Sequence, residues 1–193
     1  MFLIWLSLIV LTLVYIVSVY NSLQTFQTRI KASVQEIGNQ LKRQAELIPN
    51  LIESVKGYLR HEKEIFAKLI EARKRVEAAV KSGSAQKMIE AQDLVNQALG
   101  SLRVVVESTP EIKGAEVVKK LMDELRDTAD KVMYARRTLI DLIADFNQKL
   151  VVFPSNLVAK IFGFKEKQGL KMPSEDSYLA VSQKETQKPE VKL

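Results

Sequence analysis

The first twenty residues carry no charged side chain, and hydrophobic residues fill nearly all of their positions. An α-helix of about 20 apolar residues spans the roughly 30 Å hydrocarbon core of a bilayer. A helix that is apolar on every side needs lipid or protein all round it, and a chain of 193 residues has little protein to spare. We therefore predict a transmembrane anchor over residues 1–20 that contacts the lipid bilayer.

A cleavable signal peptide is the competing interpretation of this segment. Such a peptide has a cationic start, a shorter apolar run and small residues at its cleavage point. Here the run is long, and Ser18–Tyr20 matches a cleavage point poorly, so we expect the segment to be retained. Basic residues follow the anchor and none precedes it: Arg29, Lys31, Lys42 and Arg43. The positive-inside rule then predicts a single-pass protein of the cell membrane, with its N-terminus outside and the rest of the chain in the cytoplasm.

After the anchor, hydrophobic residues recur every three or four positions, which is typical of helices buried on one face. The first stripe consists of Leu23, Phe26, Ile30, Val34, Ile37, Leu41, Ala45 and Ile48. Later stripes run over 51–80, 88–106 and 118–150, and no stretch alternates with the two-residue period of a strand. Short connections between such helices favour antiparallel neighbours. The pattern predicts an all-α protein: a transmembrane helix followed by an antiparallel up-and-down bundle of three to four long helices.

Turn-forming residues separate the stripes. Pro49 either kinks a continuing helix or begins a new one, in which case Asn50 is a helix cap. Ser82–Ser84, Thr109–Pro110 and Phe153–Ser155 mark the later boundaries. A short amphipathic segment follows the last of these.

The chain divides into three regions by composition. Residues 1–20 form the anchor and residues 21–165 form the bundle. Residues 166–193 are rich in Lys, Glu, Ser, Gln and Pro, and we predict a disordered tail there.

The residues that usually carry chemistry are scarce. The chain has no Cys and one His, His61, which excludes disulfides, thiolate metal sites and multi-histidine metal cages. We therefore predict no catalytic residues, no cofactor and no metal. The formal net charge is +6, but acidic residues interleave with the basic ones, so no nucleic-acid partner is expected.

Several segments resemble the LemA family. They are Tyr20–Leu23, Gln40–Arg43, Leu47–Leu51, Val55–Tyr58, Ala135–Arg137 and Phe153–Leu157. The resemblance implies a membrane-anchored, mostly cytoplasmic helical bundle from a prokaryote, in a family without an agreed biochemical activity.

Our first functional hypothesis is a non-catalytic scaffold that binds a protein partner of unknown identity or associates with itself. Partner contacts are expected near the Pro49 bend, with Asn50, or on the short segment that contains Phe153 and Pro154.

The alternative hypothesis is a protein that organises or remodels the membrane surface. In that case segment 156–164 docks on the bilayer through Phe162 and Phe164. Lys42 and Arg43 are further candidates for lipid contact, with a solvated helix face as the competing interpretation.

Overall fold

The computed structural model describes residues 1–59, 62–113 and 115–170, and these residues are helical with no strand. The helices are α1 Phe2–Lys56, α2 Lys63–Ser82, α3 Ala85–Ser108, α4 Pro110–Lys113, α5 Glu116–Val151 and α6 Ser155–Ile161. The predicted all-α fold is confirmed, and so are the boundaries at Gly83, Thr109 and Pro154.

The anchor and the first stripe form one continuous helix, α1, which passes through Pro49 and ends at Lys56. The alternative that a new helix begins at Pro49 is therefore wrong, and Asn50 is not a cap. A proline inside a helix costs about 3 kcal/mol. Burial offsets this cost, because Ile48, Leu51 and Val55 are each fully buried and each contributes about 1.5–3 kcal/mol. The chain leaves α1 at Gly57, a residue type of low helix propensity.

The long helices α1 and α5 pack side by side in antiparallel directions, and hydrogen bonds fix their register. Ser33 Oγ donates to the Ala135 carbonyl at 3.0 Å, and Gln44 Nε2 donates to the Leu125 carbonyl at 3.3 Å. Both polar side chains are buried within the stripe. The spacing between Ser33 and Gln44 on α1 nearly equals the spacing between Leu125 and Ala135 on α5. A single register of the two helices therefore satisfies both hydrogen bonds.

The helices α2 and α3 form a hairpin that packs on the half of α1 far from the anchor. Its turn contains Gly83, which has a φ of 66° in the left-handed region, and Ser84 caps α3 by accepting from the Lys87 N–H. A Cβ atom at Gly38 would lie 3.5 Å from Met88 Cε, so the turn lies about halfway along the packed part of α1. The bundle therefore has four helices far from the anchor and fewer near it.

Near the anchor, the segment after α6 lies along α5. The Asn147 amide donates to the Lys167 carbonyl at 2.8 Å and accepts from the Lys167 N–H at 2.9 Å. Leu170 packs against the core. Two residues at the start of the predicted tail, Lys167 and Leu170, therefore contact the bundle, and residues 171–193 lie outside the described residues.

We predict that Gly83→Ala lowers the free energy of unfolding by about 1–2 kcal/mol, because a Cβ atom is strained at positive φ. The measurement is urea denaturation in detergent micelles, followed by circular dichroism. Gly57→Ala is the matched control: Gly57 has a φ of −64° and open space around it, so alanine should leave stability unchanged or raise it. An equal loss of stability in both variants would contradict the left-handed conformation of Gly83 in the turn.

A second prediction concerns Gln44, which is fully buried with an unpaired Oε1. Gln44→Leu removes a buried unsatisfied acceptor and keeps the side-chain volume. We therefore expect it to raise the free energy of unfolding by about 1 kcal/mol. The Leu125 carbonyl keeps the Thr128 hydroxyl as a donor at 2.8 Å. Gln44→Ala instead leaves a cavity and should destabilise by about 2 kcal/mol or more. The same denaturation measurement separates the two, and a loss for the leucine variant would be the contrary outcome.

Candidate functional site

The described residues contain no group of three or more metal-ligating side chains. His61, the single histidine of the chain, lies outside the described residues. Candidate functional features are therefore surfaces, and four of them follow.

The first surface is the anchor itself. Its side chains are exposed on every side of α1, and only 6% of the most apolar 18-residue window is buried. A helix in the core of a soluble protein would be mostly buried, so this exposure fits membrane anchoring. The packed part of α1 begins next to it, with Leu23 fully buried.

The second feature is an aromatic cluster at the junction of anchor and bundle. The Tyr20 ring lies 4.8 Å from the Phe162 ring and 5.8 Å from the Phe164 ring, between centroids. Phe164 also meets the buried Phe146 ring at 6.4 Å. Aromatic pairs at such separations contribute about 0.5–1.5 kcal/mol each beyond their buried area. The cluster therefore fastens α6 to α1 at the end of the anchor.

The third feature is an exposed hydrophobic surface beside that cluster, which we call the apolar edge. It consists of Val151, Val152, Phe153, Leu157 and Ile161. Phe153 and Ile161 are each 75% exposed, whereas Val158 and Ala159 of α6 are buried against the bundle. Elsewhere on the described bundle, exposed large hydrophobic side chains occur singly or in pairs, as is usual for a protein surface. Exposed hydrophobic side chains grouped this closely along the chain indicate a candidate interaction site.

The eight residues predicted from the sequence as contact sites lie in two separate regions of the structure. Phe153 and Pro154 lie exposed at the turn before α6, and Phe164 is half-buried in the aromatic cluster. Phe162 is half-exposed, and its ring packs against the Tyr20 ring at an angle of 55°. These four residues come together near the anchor.

The other four predicted residues lie farther along α1. Arg43 pairs with Glu124 of α5 at 2.6 Å, and the hydrogen bond to that carboxylate raises the pKa of the guanidinium. Lys42 and Asn50 are exposed, and Pro49 is half-buried. Lys42 lies 22 residues after Tyr20, about 33 Å along the helix at 1.5 Å per residue.

The fourth feature is a groove between α3 and α5, which sequence reasoning missed. It has a volume of about 520 Å³ and is open to solvent. Its lining includes Leu99, Gly100, Val106, Ile112, Val118 and Met122. The one local signal in the sequence was Gly100, a glycine in the middle of α3. In the structure, a side chain at this position would project into open space. We call this feature the α3–α5 groove.

Comparison with known proteins found a curated relative and a matching family profile. Magnetosome protein MamQ from Magnetospirillum gryphiswaldense is 24% identical over 169 residues, an alignment that covers 76% of this chain and 62% of MamQ. The chain thus spans less than two thirds of the length of this curated relative. The LemA family profile matches residues 33–192, which is most of the bundle and the tail. This match confirms the resemblance seen in the sequence: the chain belongs to the LemA family.

Proposed function

We propose that this chain is a non-catalytic scaffold that stands on the cytoplasmic side of the cell membrane and holds a helix of a partner protein in the α3–α5 groove. The observation that supports this proposal is the open apolar floor of that groove. A helical bundle normally closes such a seam by packing its helices together. Here α3 and α5 leave Leu99, Val106 and Met122 only partly buried.

The chemistry of the groove suits an amphipathic helix. Helix-in-groove recognition places an apolar stripe of the ligand on an apolar floor, with charges at the rim. At this rim Arg103 is already paired with Glu107 at 2.8 Å, whereas Lys119 and Arg126 make no ion pair with other described residues. A partner helix with acidic residues beside its apolar stripe would complement these two cations.

The position of the groove favours a protein partner over lipid. Leu125 of the groove lies beside Gln44, which is 24 residues after Tyr20. That places the groove about 36 Å from the end of the anchor, at 1.5 Å per residue. A bilayer surface at Tyr20 is then out of reach, and a partner would approach from the aqueous side.

The cytoplasmic orientation rests on charge. The anchor, residues 1–20, contains no Lys or Arg, and the basic residues Arg29 and Lys31 follow it. Both basic residues are exposed on α1, where they are free to hold the bundle on the cytoplasmic side during insertion.

We predict that a cysteine introduced at Val104, an exposed position on α3, reacts with a membrane-impermeant maleimide in inverted vesicles and not in intact cells. The chain has no other cysteine, so the labelling is specific. A cysteine at Met133 on α5, which is equally exposed, should behave in the same way. Labelling of either position in intact cells would contradict the orientation.

We predict that a photo-crosslinking residue at Met122 forms a discrete adduct with one partner protein in native membranes. Gly100→Leu should abolish this adduct, because the new side chain fills the groove. The same substitution should stabilise α3 by about 0.5–1 kcal/mol, since glycine is costly inside a helix. Loss of binding would thus accompany a gain in stability, which excludes unfolding as the cause.

The control places the same crosslinker at Ile70, an exposed residue of α2 outside the groove. No adduct is expected there. An adduct that survives Gly100→Leu, or that forms equally at Ile70, would refute partner binding in the groove. An adduct of the chain with itself would identify a second copy as the occupant and self-association as the role.

A further inference from the structure

We propose that the apolar edge inserts into the headgroup–acyl boundary of an anionic bilayer, beside the anchor, and so fixes the bundle on the membrane surface. This inference rests on the anchor part of the proposed function and is independent of the α3–α5 groove. It differs from the alternative hypothesis of the sequence analysis in the side chains that it assigns to lipid.

The register of α1 and α5 sets the depth of the edge. Ser33 and Ala135 lie side by side, joined by a 3.0 Å hydrogen bond. Val17 lies as many residues before Ser33 on α1 as Val151 lies after Ala135 on α5. Because the two helices are antiparallel, both residues lie about 24 Å from this hydrogen bond in the direction of the anchor, at 1.5 Å per residue. The end of α5 therefore reaches the level of the last turn of the anchor.

The aromatic cluster gives an independent measure of the same depth. Phe162, directly after α6, packs its ring in a tilted arrangement against Tyr20, the last residue of the anchor. The helix α6 is thus held where the anchor leaves the hydrocarbon. Phe164 is engaged in the same cluster and faces Phe146. The aromatic rings predicted from sequence to touch lipid therefore attach α6 to α1, with Phe162 still half-exposed, and Leu157 and Ile161 are exposed on the same helix without a ring contact.

The charge of the segment favours an anionic lipid surface over a second protein. No Asp or Glu occurs from Phe146 to Lys165, although acidic residues make up 23 of the 193 residues of the chain. Lys160 and Lys165 are exposed next to the apolar edge. Apolar side chains rimmed by lysine, without carboxylates, are typical of segments that lie in the interface of anionic membranes.

The test uses the full chain reconstituted in vesicles of phosphatidylcholine with phosphatidylglycerol. Single cysteines replace Leu157 or Ile161 and carry an environment-sensitive fluorophore; Leu157 is 51% exposed and Ile161 75%, so the fold should tolerate the labels. We expect blue-shifted emission, loss of quenching by aqueous iodide, and quenching by lipids that carry a nitroxide near the headgroup. A matched label at Val104 should stay accessible to iodide and insensitive to the nitroxide lipid.

Two further measurements make the result decisive. A label at Leu11 reports on the anchor alone, so a bilayer-inserted Leu11 with iodide-accessible Leu157 and Ile161 would overturn the inference and leave the anchor intact. Protection from both iodide and nitroxide lipid would also overturn it, because the edge would then be covered by protein. Phe153→Glu in the labelled chain should restore iodide quenching at Ile161, whereas Val104→Glu should not.

Discussion

The antiparallel pairing of α1 and α5 is the constraint on which the rest of the structure depends. Two buried polar side chains of α1, Ser33 and Gln44, each donate to a backbone carbonyl of α5. Hydrophobic contacts alone tolerate a slip along a helix pair, but a buried donor that loses its acceptor costs about 1–3 kcal/mol. The pairing therefore has one favourable register. Because α1 also carries the anchor, that register determines how close every other element lies to the membrane.

The consequence is a molecule with two different ends. Near the anchor, the end of α5, helix α6 and the segment that Asn147 holds are gathered around Tyr20. Far from the anchor, the α2–α3 hairpin covers one side of α1 and leaves the groove against α5 open. We assign the first end to lipid and the second to a protein partner. On this proposal, the protein would act by holding its partner at a defined height above the bilayer.

The sequence predicted much of this fold and little of its site. The stripe positions Ile37, Leu41 and Ile48 are buried as expected, because periodicity alone decides which face of a helix can leave water. At Pro49 the sequence left two alternatives open, and the structure decided for the continuing helix, because other helices bury the neighbours of the proline. Arg43 shows the same limit, because its partner Glu124 lies 81 residues away in the chain. The α3–α5 groove left almost no local signal, since it depends on how far apart two helices lie.

The amino-acid sequence by itself determined the properties that arise from neighbours along the chain. These are the apolar anchor, the helical periods, the turn residues between them and the family membership that the profile match confirmed. The tertiary structure alone decided which residues meet. It placed Phe162 on Tyr20 and left Ile161 exposed beside it, although both are apolar and adjacent in sequence. The physical reason is that hydrophobicity indicates only that a side chain is more stable away from water. The packing of distant helices decides whether other parts of the protein bury it or leave it exposed.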